Sequence, residues 1–427
     1  MACFKIEGGH PLSGVIRASG NKNAALPALA AALLTDGEVR IGNVPDIGDV
    51  NTMLAMLESL GVGLARENRH DVRISASGCE GDKLARELSA KVRGSILLAA
   101  PLLHRFGSVE LPFPGGDRIG RRRLDTHLLA LEAMGARVEV DRAIRIRAPQ
   151  GLTGADILLD EASVTATENT VMAAVLAKGK TIIRNAACEP HVQDLCRMLR
   201  KMGADIEGAG TNELRVHGVQ RLNGCECELG ADYIEVASFI ALAAVTGGEI
   251  TIEKAAPDQM RMILFQFRRL GIDVEIQGEN VRVPRAQRLR VQPDTRGAIP
   301  KIDDSPWPGF PADLTSVATT AATQCHGSVI IFEKMFESRM FFVDQLIEMG
   351  AQIVLCDPHR AVVIGPSRLH GASISSPDIR AGMALLIASL AADGESTIGN
   401  IAQIDRGYER IDERLRALGA HVRRVEG

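Results

Sequence analysis

One pattern of apolar and polar positions occurs six times along the chain. Each copy is the tail of an amphipathic helix, then Leu-Gly or Met-Gly, and then a short apolar strand. The glycines that end the six helices are Gly61, Gly135, Gly203, Gly271, Gly350 and Gly419. They recur every 68 to 79 residues, and so regular a period predicts one supersecondary unit that is used six times.

A second marker precedes each of these glycines by 23 to 28 residues. It is another glycine followed by a strand-like run, as in the stretch Gly-Glu-Val-Arg-Ile that starts at Gly37. The other markers start at Gly107, Gly179, Gly248, Gly327 and Gly394. The interval has room for a strand, a loop and a helix, so each unit is predicted to be a β-α-β element. The later glycine, just past the last periodic apolar residue, suits a left-handed helix C-cap.

The six units divide naturally into two sets of three, since 427 residues are too many for one compact core. The boundary falls near Gly224–Gly230, between the third and fourth copies. A strand predicted around Phe4–Glu7 is in excess of the first three units. If this strand pairs with the second set, the chain crosses between domains twice. The expected domains are 21–229, with repeats one to three, and 1–20 plus 230–427, with repeats four to six.

Composition excludes several classes of protein. The net charge of -4 and the 3% aromatic content, with Trp307 as the single tryptophan, argue against a nucleic-acid binder. The apolar runs Ala24–Leu34 and Ala381–Ala392 are shorter than the ~20 residues that span a bilayer, so they are interpreted as buried helices. Eight cysteines without a CxxC pair, and an N-terminus without a secretion signal, favour a reduced cytoplasmic protein.

The stretch Ala18–Ala24 is a polar turn that leads directly into an apolar helix. Backbone N–H groups at a helix start attract anions, and Lys22 adds a positive charge. The alternative is an ordinary helix N-cap with a solvated lysine.

The segment Leu111–His127 carries four arginines, two aspartates and a histidine on a loop rich in proline and glycine. The other repeats have only a short loop here. Long polar loops are commonly functional lids, and an arginine cluster suits phosphate. The alternative is a solvated charged loop.

Four charged residues in the second half lie at the start of predicted helices. Arg339, Arg380 and Arg406 could converge on one end of a domain, or each could be a surface ion-pair partner. Asp313 follows a Pro-rich loop and could be merely an N-cap. Together with the first two stretches they predict a small, highly anionic substrate. Neither a P-loop nor a dinucleotide-binding motif occurs, and no metal site or cofactor is expected.

Seven motifs give the chain a strong resemblance, over essentially its whole length, to the enolpyruvyl transferases. The motifs are Ser19–Leu26, Pro114–Gly120, Asn185–Pro190, Phe310–Asp313, Phe336–Arg339, Asp378–Arg380 and Asp405–Arg410. The resemblance implies an α/β fold of two inside-out barrels, each of three β-α-β repeats, which close over substrate in the cleft between them. The loop Pro114–Gly120 belongs to the branch of the family that acts on nucleotide sugars.

The resemblance also implies a reaction. The enolpyruvyl group of phosphoenolpyruvate would pass to the 3'-hydroxyl of UDP-N-acetylglucosamine with release of phosphate, the first committed step of peptidoglycan synthesis. Lys22 and Arg406 would hold the phosphate and carboxylate of phosphoenolpyruvate. Asn23 and Asp313 would face the sugar, with Asp313 as the base that takes the proton of the acceptor hydroxyl. Small-molecule substrates are the only partners implied, and the oligomeric state stays open.

The remaining site residues are implied in the same way. The nucleotide would be lined by Arg122, Asp125, Ser163, Val164, Thr165 and Met335. Arg122 and Arg380 would lie near phosphoenolpyruvate, and Asp378 belongs to the same substrate-binding set. Arg93 and Arg339 would support domain closure and charge balance.

The sequence departs from the family's common pattern in ways that bear on function. Asp117 stands where most members carry a loop cysteine that acts as an acid and is alkylated by fosfomycin; Asp117 is therefore the expected acid, and resistance to that compound is expected. Thr165 replaces a usual glycine, Arg123 a usual proline and Leu97 a frequent tryptophan. Positions where many members have cations hold Gly48, Glu161 and Tyr233. Two alternatives stay open: a different uridine nucleotide as acceptor, and a non-catalytic paralogue that binds a sugar nucleotide.

Overall fold

The computed structural model describes residues 2–117 and 119–426. These residues fold into two compact units. The N-unit comprises residues 20–117 and 122–230, and the C-unit comprises residues 2–19, 119–121 and 231–426. Each unit has its own hydrophobic core.

The described residues form short strands and helices in regular alternation. The strands are Cys3–Glu7 (β1), Ser13–Arg17 (β2), Val39–Gly42 (β3), Gly63–Arg66 (β4), Val72–Ser75 (β5), Ser108–Leu111 (β6), Arg137–Val140 (β7), Ile144–Arg147 (β8), Asp156–Leu158 (β9), Lys180–Arg184 (β10), Asp205–Glu207 (β11), Glu213–His217 (β12), Cys225–Glu228 (β13), Glu249–Glu253 (β14), Glu275–Gln277 (β15), Asn280–Val283 (β16), Lys301–Asp303 (β17), Gly327–Phe332 (β18), Gln352–Asp357 (β19), Arg360–Gly365 (β20), Ser373–Ser375 (β21), Glu395–Gly399 (β22) and His421–Val425 (β23).

The α-helices follow the same rhythm. They are Lys22–Ala31 (α1), Gly48–Ser59 (α2), Arg86–Ser89 (α3), Ala99–Phe106 (α4), Asp125–Ala133 (α5), Val164–Ala174 (α6), Pro190–Lys201 (α7), Tyr233–Val245 (α8), Arg261–Arg269 (α9), Thr315–Ala322 (α10), Val343–Glu348 (α11), Ile379–Ala391 (α12), Ala402–Asp405 (α13) and Ile411–Ala417 (α14). Short 3-10 helices cover Ala32–Leu34, Ala76–Gly78, Arg93–Leu98, Pro257–Met260, Thr295–Gly297, Ala312–Leu314 and Arg339–Phe342.

Five of the six sheets share one four-stranded topology, which the third copy shows most plainly, and in the described part of the chain the sheet of the second copy has only the three antiparallel strands. Strand β9 leads through α6 to β10, which is parallel to it, and α7 then leads to the antiparallel hairpin β11–β12. The strand order in this sheet is β11-β12-β10-β9. The other sheets of the N-unit have the orders β13-β3-β5-β4 and β6-β8-β7, and those of the C-unit are β15-β16-β14-β2, β17-β18-β20-β19 and β21-β22-β1-β23. The predicted set of six repeats is therefore present.

Three strands complete sheets far from their own place in the chain. Strand β1 lies between β22 and β23 and is antiparallel to both, so the expected pairing of the N-terminal strand with the C-terminal repeats is confirmed. Strand β2 is parallel to β14, and β13 is parallel to β3. The chain consequently leaves the C-unit after residue 19 and returns to it at residue 231.

Buried helices form the centre of each unit, and the sheets cover them. In the C-unit α8, α10 and α12 pack against one another, and in the N-unit α1 and α6 pack with the Arg93–Leu98 turn that continues into α4. Nearly every residue of α8 and α12 is buried, whereas β15 is exposed along its length. Helices inside and sheets outside are the inside-out arrangement that the resemblance implied. No helix in the described part of the chain is long and apolar enough to cross a lipid bilayer.

The glycine that ends each repeat's helix has the predicted left-handed backbone. Helix α5 ends at Ala133, and Gly135 has a φ of +94°. The five equivalent glycines have φ values between +81° and +104°. The repeat is thus marked by a backbone conformation that a side chain would strain.

These glycines support a graded stability prediction. A Cβ at Gly135 would meet nothing within 4 Å, whereas a Cβ at Gly271 would lie 2.1 Å from the carbonyl oxygen of Arg288. We expect Gly135→Ala to lower the free energy of unfolding by about 1 to 2 kcal/mol, the penalty of a left-handed residue alone, and Gly271→Ala to lower it further. Gly135→Asn should be milder than Gly135→Ala, because asparagine tolerates this conformation. Urea unfolding measures all three, and equal losses for the two alanine variants would contradict this explanation.

Candidate active site

Asp313 lies between two arginine side chains in the C-unit. Its Oδ1 accepts a hydrogen bond from Arg339 Nη2 at 2.5 Å, and its Oδ2 accepts one from Arg380 Nε at 3.0 Å. Arg380 is 4% exposed, and the Arg339 side chain is 10% exposed. We call these three residues the Asp313 clamp. Charge-assisted hydrogen bonds of this kind are strong because little water competes for them.

Local structure fixes the backbone beneath each member of the clamp. Asp313 lies inside the 3-10 helix Ala312–Leu314 that precedes α10, and Arg339 begins another 3-10 helix. The Asp378 side chain caps α12 by accepting hydrogen bonds from the backbone N–H groups of Arg380 and Ala381, at 2.8 and 2.9 Å. The interpretation of Asp313 as an N-cap is therefore wrong. So is the interpretation of Arg339 and Arg380 as surface ion-pair partners.

Each of the two arginines has a buried nitrogen donor for which no described residue is an acceptor. Among the described residues, the buried Nε of Arg339 and the buried Nη1 of Arg380 have no hydrogen-bond partner. Each guanidinium also lies over an aromatic ring, with 4.9 Å from Arg339 Cζ to the centre of Phe336 and 5.5 Å from Arg380 Cζ to the centre of Tyr408. A buried donor without a partner calls for an acceptor, and an anionic substrate would supply one.

Two further residues of the C-unit are less enclosed. Arg406 follows α13, is partly exposed, and donates from Nη1 to Gln403 Oε1 at 2.7 Å. Met335 is 41% exposed, and its backbone N–H donates to Asp304 Oδ2 at 3.2 Å. Both therefore have surface that a ligand can contact.

A buried carboxyl group beside the clamp was missed by the sequence analysis. Glu333 follows β18 and is fully buried. Burial raises the pKa of Glu333 to about 8, although the charge of Arg339 opposes the shift. Burial alone would lower the pKa of Arg339. The opposing effect of Asp313, Glu333 and Asp378 is larger, so the pKa of Arg339 lies above its usual value. Nothing in a single sequence distinguishes Glu333 from an ordinary residue at the end of a strand.

In the N-unit, Lys22 begins α1 and is held by a carboxylate. Its Nζ lies 2.8 Å from Asp49 Oδ2, and the two side chains are only 11% and 5% exposed. The alternative of a solvated lysine is therefore wrong. Asp49 was missed, since an acidic residue in the first turn of α2 is what an ordinary helix start contains.

Two amides at the start of α1 already have a partner within the protein. The side chain of Asn21 accepts hydrogen bonds from the N–H groups of Asn23 and Ala24, at 2.8 and 3.2 Å. The expectation that these amides attract a substrate anion needs correction. The positive group that the structure provides here is the Lys22 ammonium, with Asn23 half-buried beside it.

The charged loop is anchored at its C-terminal side. Arg93 Nη2 donates to the carbonyl oxygens of Arg122 and Arg123, at 2.8 and 2.7 Å. Arg123 in turn pairs with Asp160 at 2.6 Å and with Asp125 at 3.4 Å. Burial, together with the nearby charge of Arg122, lowers the pKa of Arg93 to about 10, so this side chain stays charged at neutral pH. A freely solvated loop is excluded for these residues.

Residues 119–121, which we call the tip of the same loop, belong to the C-unit. The carbonyl oxygen of Ile119 accepts from the backbone N–H of Ser338 at 3.2 Å, and the N–H of Arg121 donates to Glu337 Oε2 at 3.2 Å. Asp117, the last described residue before the tip, is half-buried and belongs to the N-unit. Arg118, the first of the loop's four arginines, lies outside the described residues.

Three of the residues that were predicted to line the nucleotide lie at the start of α6. Ser163 caps the helix through a 3.4 Å bond from the N–H of Ala166, and Val164 begins it. The Thr165 Oγ1 lies 3.1 Å from Nε2 of His127, whose Nδ1 lies 3.2 Å from the amide nitrogen of Asn169. Because an amide NH₂ can only donate, Nδ1 of His127 is the acceptor and Nε2 carries the proton.

His127 gives this region a pH dependence. It is 2% exposed, and burial, followed by the charge of Arg93, lowers its pKa to about 3. The unfolded chain takes up a proton here below a pH of about 6.5, while the folded chain does not, so this residue makes stability fall as the pH drops from about 6.5 towards 3. We expect the unfolding free energy of His127→Gln to fall less steeply with decreasing pH than that of the parent, by up to about 1.4 kcal/mol per pH unit across that window.

Urea unfolding of the parent and of His127→Gln, at matched pH values, measures this difference. The histidine Cε1–H NMR resonance that disappears in the variant should show no titration between pH 5 and pH 8. A resonance that titrates near pH 6.5, or identical pH slopes for the two proteins, would contradict the assignment of a neutral His127.

Known proteins resemble the chain along nearly all of its length. The sequence model of the family described as EPSP synthase (3-phosphoshikimate 1-carboxyvinyltransferase) matches residues 6–415. A protein of Treponema denticola is 54% identical, with 98% of each chain covered. A protein of Bradyrhizobium diazoefficiens is 55% identical, with 99% of this chain and 98% of the relative covered. Both relatives bear the name UDP-N-acetylglucosamine 1-carboxyvinyltransferase.

Solved structures agree with this assignment. The enolpyruvyl transferase NikO from Streptomyces tendae superposes with a TM-score of 0.89 at 25% identity, covering 100% of this chain and 99% of that one. An EPSP synthase from Acinetobacter baumannii gives a TM-score of 0.75 at 18% identity over the full length of both chains, and so supports the fold alone. The chain, with its six repeats in two inside-out α/β barrels, belongs to the enolpyruvyl transferase family.

Proposed function

We propose that this enzyme transfers the enolpyruvyl group of phosphoenolpyruvate to the 3'-hydroxyl of UDP-N-acetylglucosamine and releases phosphate. This reaction is the first committed step of peptidoglycan synthesis. The relatives that share more than half of its residues carry the name of this activity. The observation that carries the proposal is the Asp313 clamp, a carboxylate between two buried arginines that keep unused donors.

The reaction is an addition followed by an elimination. The methylene carbon of phosphoenolpyruvate takes up a proton, and the acceptor oxygen attacks the carbon that becomes cationic. A proton then leaves the methyl group as the bond between carbon and the phosphate oxygen breaks, and the enol ether forms. Fixed cations favour this route because phosphate departs as an anion.

Asp313 is proposed as the base for the acceptor hydroxyl. The two arginines stabilise its negative charge and hold its carboxylate in one orientation. A base must lie within hydrogen-bond reach of the proton that it removes, so this fixed orientation serves catalysis directly. Asp117 is proposed as the acid for the methylene carbon.

Phosphoenolpyruvate is proposed to bind to Lys22 and Arg406, with Arg122 and Arg380 nearby. Lys22 is already held in place by Asp49 at 2.8 Å, so little side-chain freedom is lost when the substrate binds. The phosphate would compete with Asp49 for the ammonium group, which makes Asp49 a positioning residue for Lys22.

The nucleotide is proposed to be lined by Arg122, Asp125, Ser163, Val164, Thr165 and Met335, with Asn23 facing its sugar. Asp378 is proposed as a further substrate-binding residue, and Arg93 and Arg339 are proposed to balance the charges. A different uridine nucleotide as acceptor is the second candidate. It is favoured by two observations: the Thr165 hydroxyl contacts His127 where the family usually has a glycine, and Glu161 is an exposed acid where many members have a cation. The eight thiols suit the reducing cytoplasm, where we place the reaction.

Phosphate release tests the function. Purified enzyme with phosphoenolpyruvate and UDP-N-acetylglucosamine should release phosphate, and neither substrate should do so alone. Asp313→Asn should lower kcat by about 10² to 10⁴, the usual contribution of a general base, while exposed Asp344→Asn serves as the matched control. Release with another uridine nucleotide only would favour the second candidate, and tight nucleotide binding without any release would favour a non-catalytic paralogue.

Asp117 gives a separate test of the proposed acid. A thiolate opens an epoxide readily, whereas a carboxylate is a much weaker nucleophile that can still transfer a proton. We expect the enzyme to be active and to resist covalent inactivation by fosfomycin, and Asp117→Cys to become sensitive while it keeps most of its turnover. A fosfomycin adduct at residue 117 of the parent, found by mass spectrometry, would contradict this, as would full activity in Asp117→Ala.

A further inference from the structure

Two histidines and a glutamate meet on the outer sheet of the last repeat. Strands β1 and β23 pair antiparallel, with Glu7 directly opposite His421. Residues that face each other in this way have side chains on the same side of the sheet. His10 comes three residues after Glu7, beyond a turn made by two glycines. The three side chains come from opposite ends of the sequence, so the spacing of residues along the chain did not predict them as a group.

The distances between these groups fit a small divalent cation. His421 Nδ1 lies 3.3 Å from Glu7 Oε2, and His10 Nε2 lies 3.5 Å from Glu7 Oε1. One potential ligand atom from each of the three residues lies within 4.8 Å of the others. Ligands of a tetrahedral zinc ion, each ~2.0 Å from the metal, are about 3.3 Å apart. Each histidine nitrogen therefore lies at about that distance from one of the two Glu7 oxygens.

The backbone around the three ligands is fixed. The residues next to Glu7 and His421 in their strands, Ile6 and Val422, are buried. The turn before His10 is held by two hydrogen bonds, from the N–H of Gly8 to the carbonyl of Gly394 at 3.1 Å and from the N–H of Gly9 to the carbonyl of Leu390 at 3.0 Å. Ligands on rigid elements need little reorganisation on binding.

We propose that His10, His421 and Glu7 form a binding site for a divalent transition-metal ion, with zinc as the reference ion. His10 Nε2, His421 Nδ1 and one oxygen of Glu7 are the protein ligands, and water completes the coordination. Imidazole and carboxylate ligands suit Zn²⁺, Ni²⁺ and Cu²⁺ rather than Ca²⁺ or Mg²⁺, and Cu²⁺ should bind most tightly.

The charges around the site limit its affinity. Glu395 lies opposite Glu7 on β22, but Lys5 Nζ lies 3.7 Å from Glu395 Oε1 and offsets the charge of Glu395. Arg423, two residues after His421, is opposite Lys5. The metal thus meets one carboxylate that is not offset by a cation. Binding would join β1 to β23, so that the N-terminal strand is tied to the last strand of the chain, and an ion that binds only the folded protein raises its stability.

Calorimetric titration of the full chain with ZnCl₂ tests the proposal. We expect one site per chain that is at least tenfold weaker in His10→Ala and in His421→Ala, and weaker in Glu7→Gln. His217→Ala is the matched control, because His217 is exposed like His421 and is a terminal residue of its strand as His421 is of β23, and it should bind zinc as the parent does. Zinc should also raise the melting temperature of the parent and of the control, but not that of His421→Ala.

The eight cysteines offer other zinc ligands. Cobalt distinguishes a metal bound by His10, His421 and Glu7 from a metal bound by cysteine. Co²⁺ bound by imidazole and carboxylate gives weak visible bands, whereas a cysteine ligand adds an intense near-ultraviolet band from thiolate-to-metal charge transfer. We expect the parent spectrum to lack the intense band and the weak bands to disappear in His10→Ala. A thiolate band at one equivalent of Co²⁺, no binding by the parent, or equal affinities in parent, His10→Ala and His421→Ala would overturn the proposal.

Discussion

The Asp313 clamp is the interaction on which the proposed chemistry depends. Two guanidinium groups lie buried in the C-unit, and removing them from water is expensive unless a negative charge compensates. Asp313 supplies that charge with one oxygen for each arginine. Without it, Arg339 and Arg380 would repel each other in an environment with little water, and an incoming anion would replace Asp313 instead of being positioned beside it.

The repeated fold makes such clusters possible at the ends of its buried helices. Asp313 precedes α10 and Arg380 lies in the first turn of α12, and these two helices pack side by side in the core of the C-unit. In the N-unit Lys22 begins α1 and meets Asp49 from the first turn of α2, and those helices also pack together. Each unit therefore presents charged side chains where neighbouring helices begin.

Local signals made most of the fold predictable, and contacts between distant residues account for what was missed. The repeats and the left-handed glycines follow from short patterns whose physics is local. The pairing of β1 with the second set of repeats was expected only because that strand is in excess of the first three units. The sequence also identified Lys22 and Asp313 as candidate site residues. It did not predict that Asp49 pairs with Lys22, or that Arg339 and Arg380 pair with Asp313. Glu333 lies in a strand-like run, and its burial beside Arg339 arises only from packing. His10 and His421 meet only because β1 pairs with β23.

The position of bond cleavage in phosphoenolpyruvate tests the central claim most directly. The substrate can be prepared with ¹⁸O in the oxygen that joins carbon 2 to phosphorus. Enolpyruvyl transfer breaks the bond between that oxygen and carbon, so we predict that the released phosphate carries the label in full when UDP-N-acetylglucosamine is the acceptor. Released phosphate without the label would mean that the bond to phosphorus breaks, and it would contradict enolpyruvyl transfer by this protein.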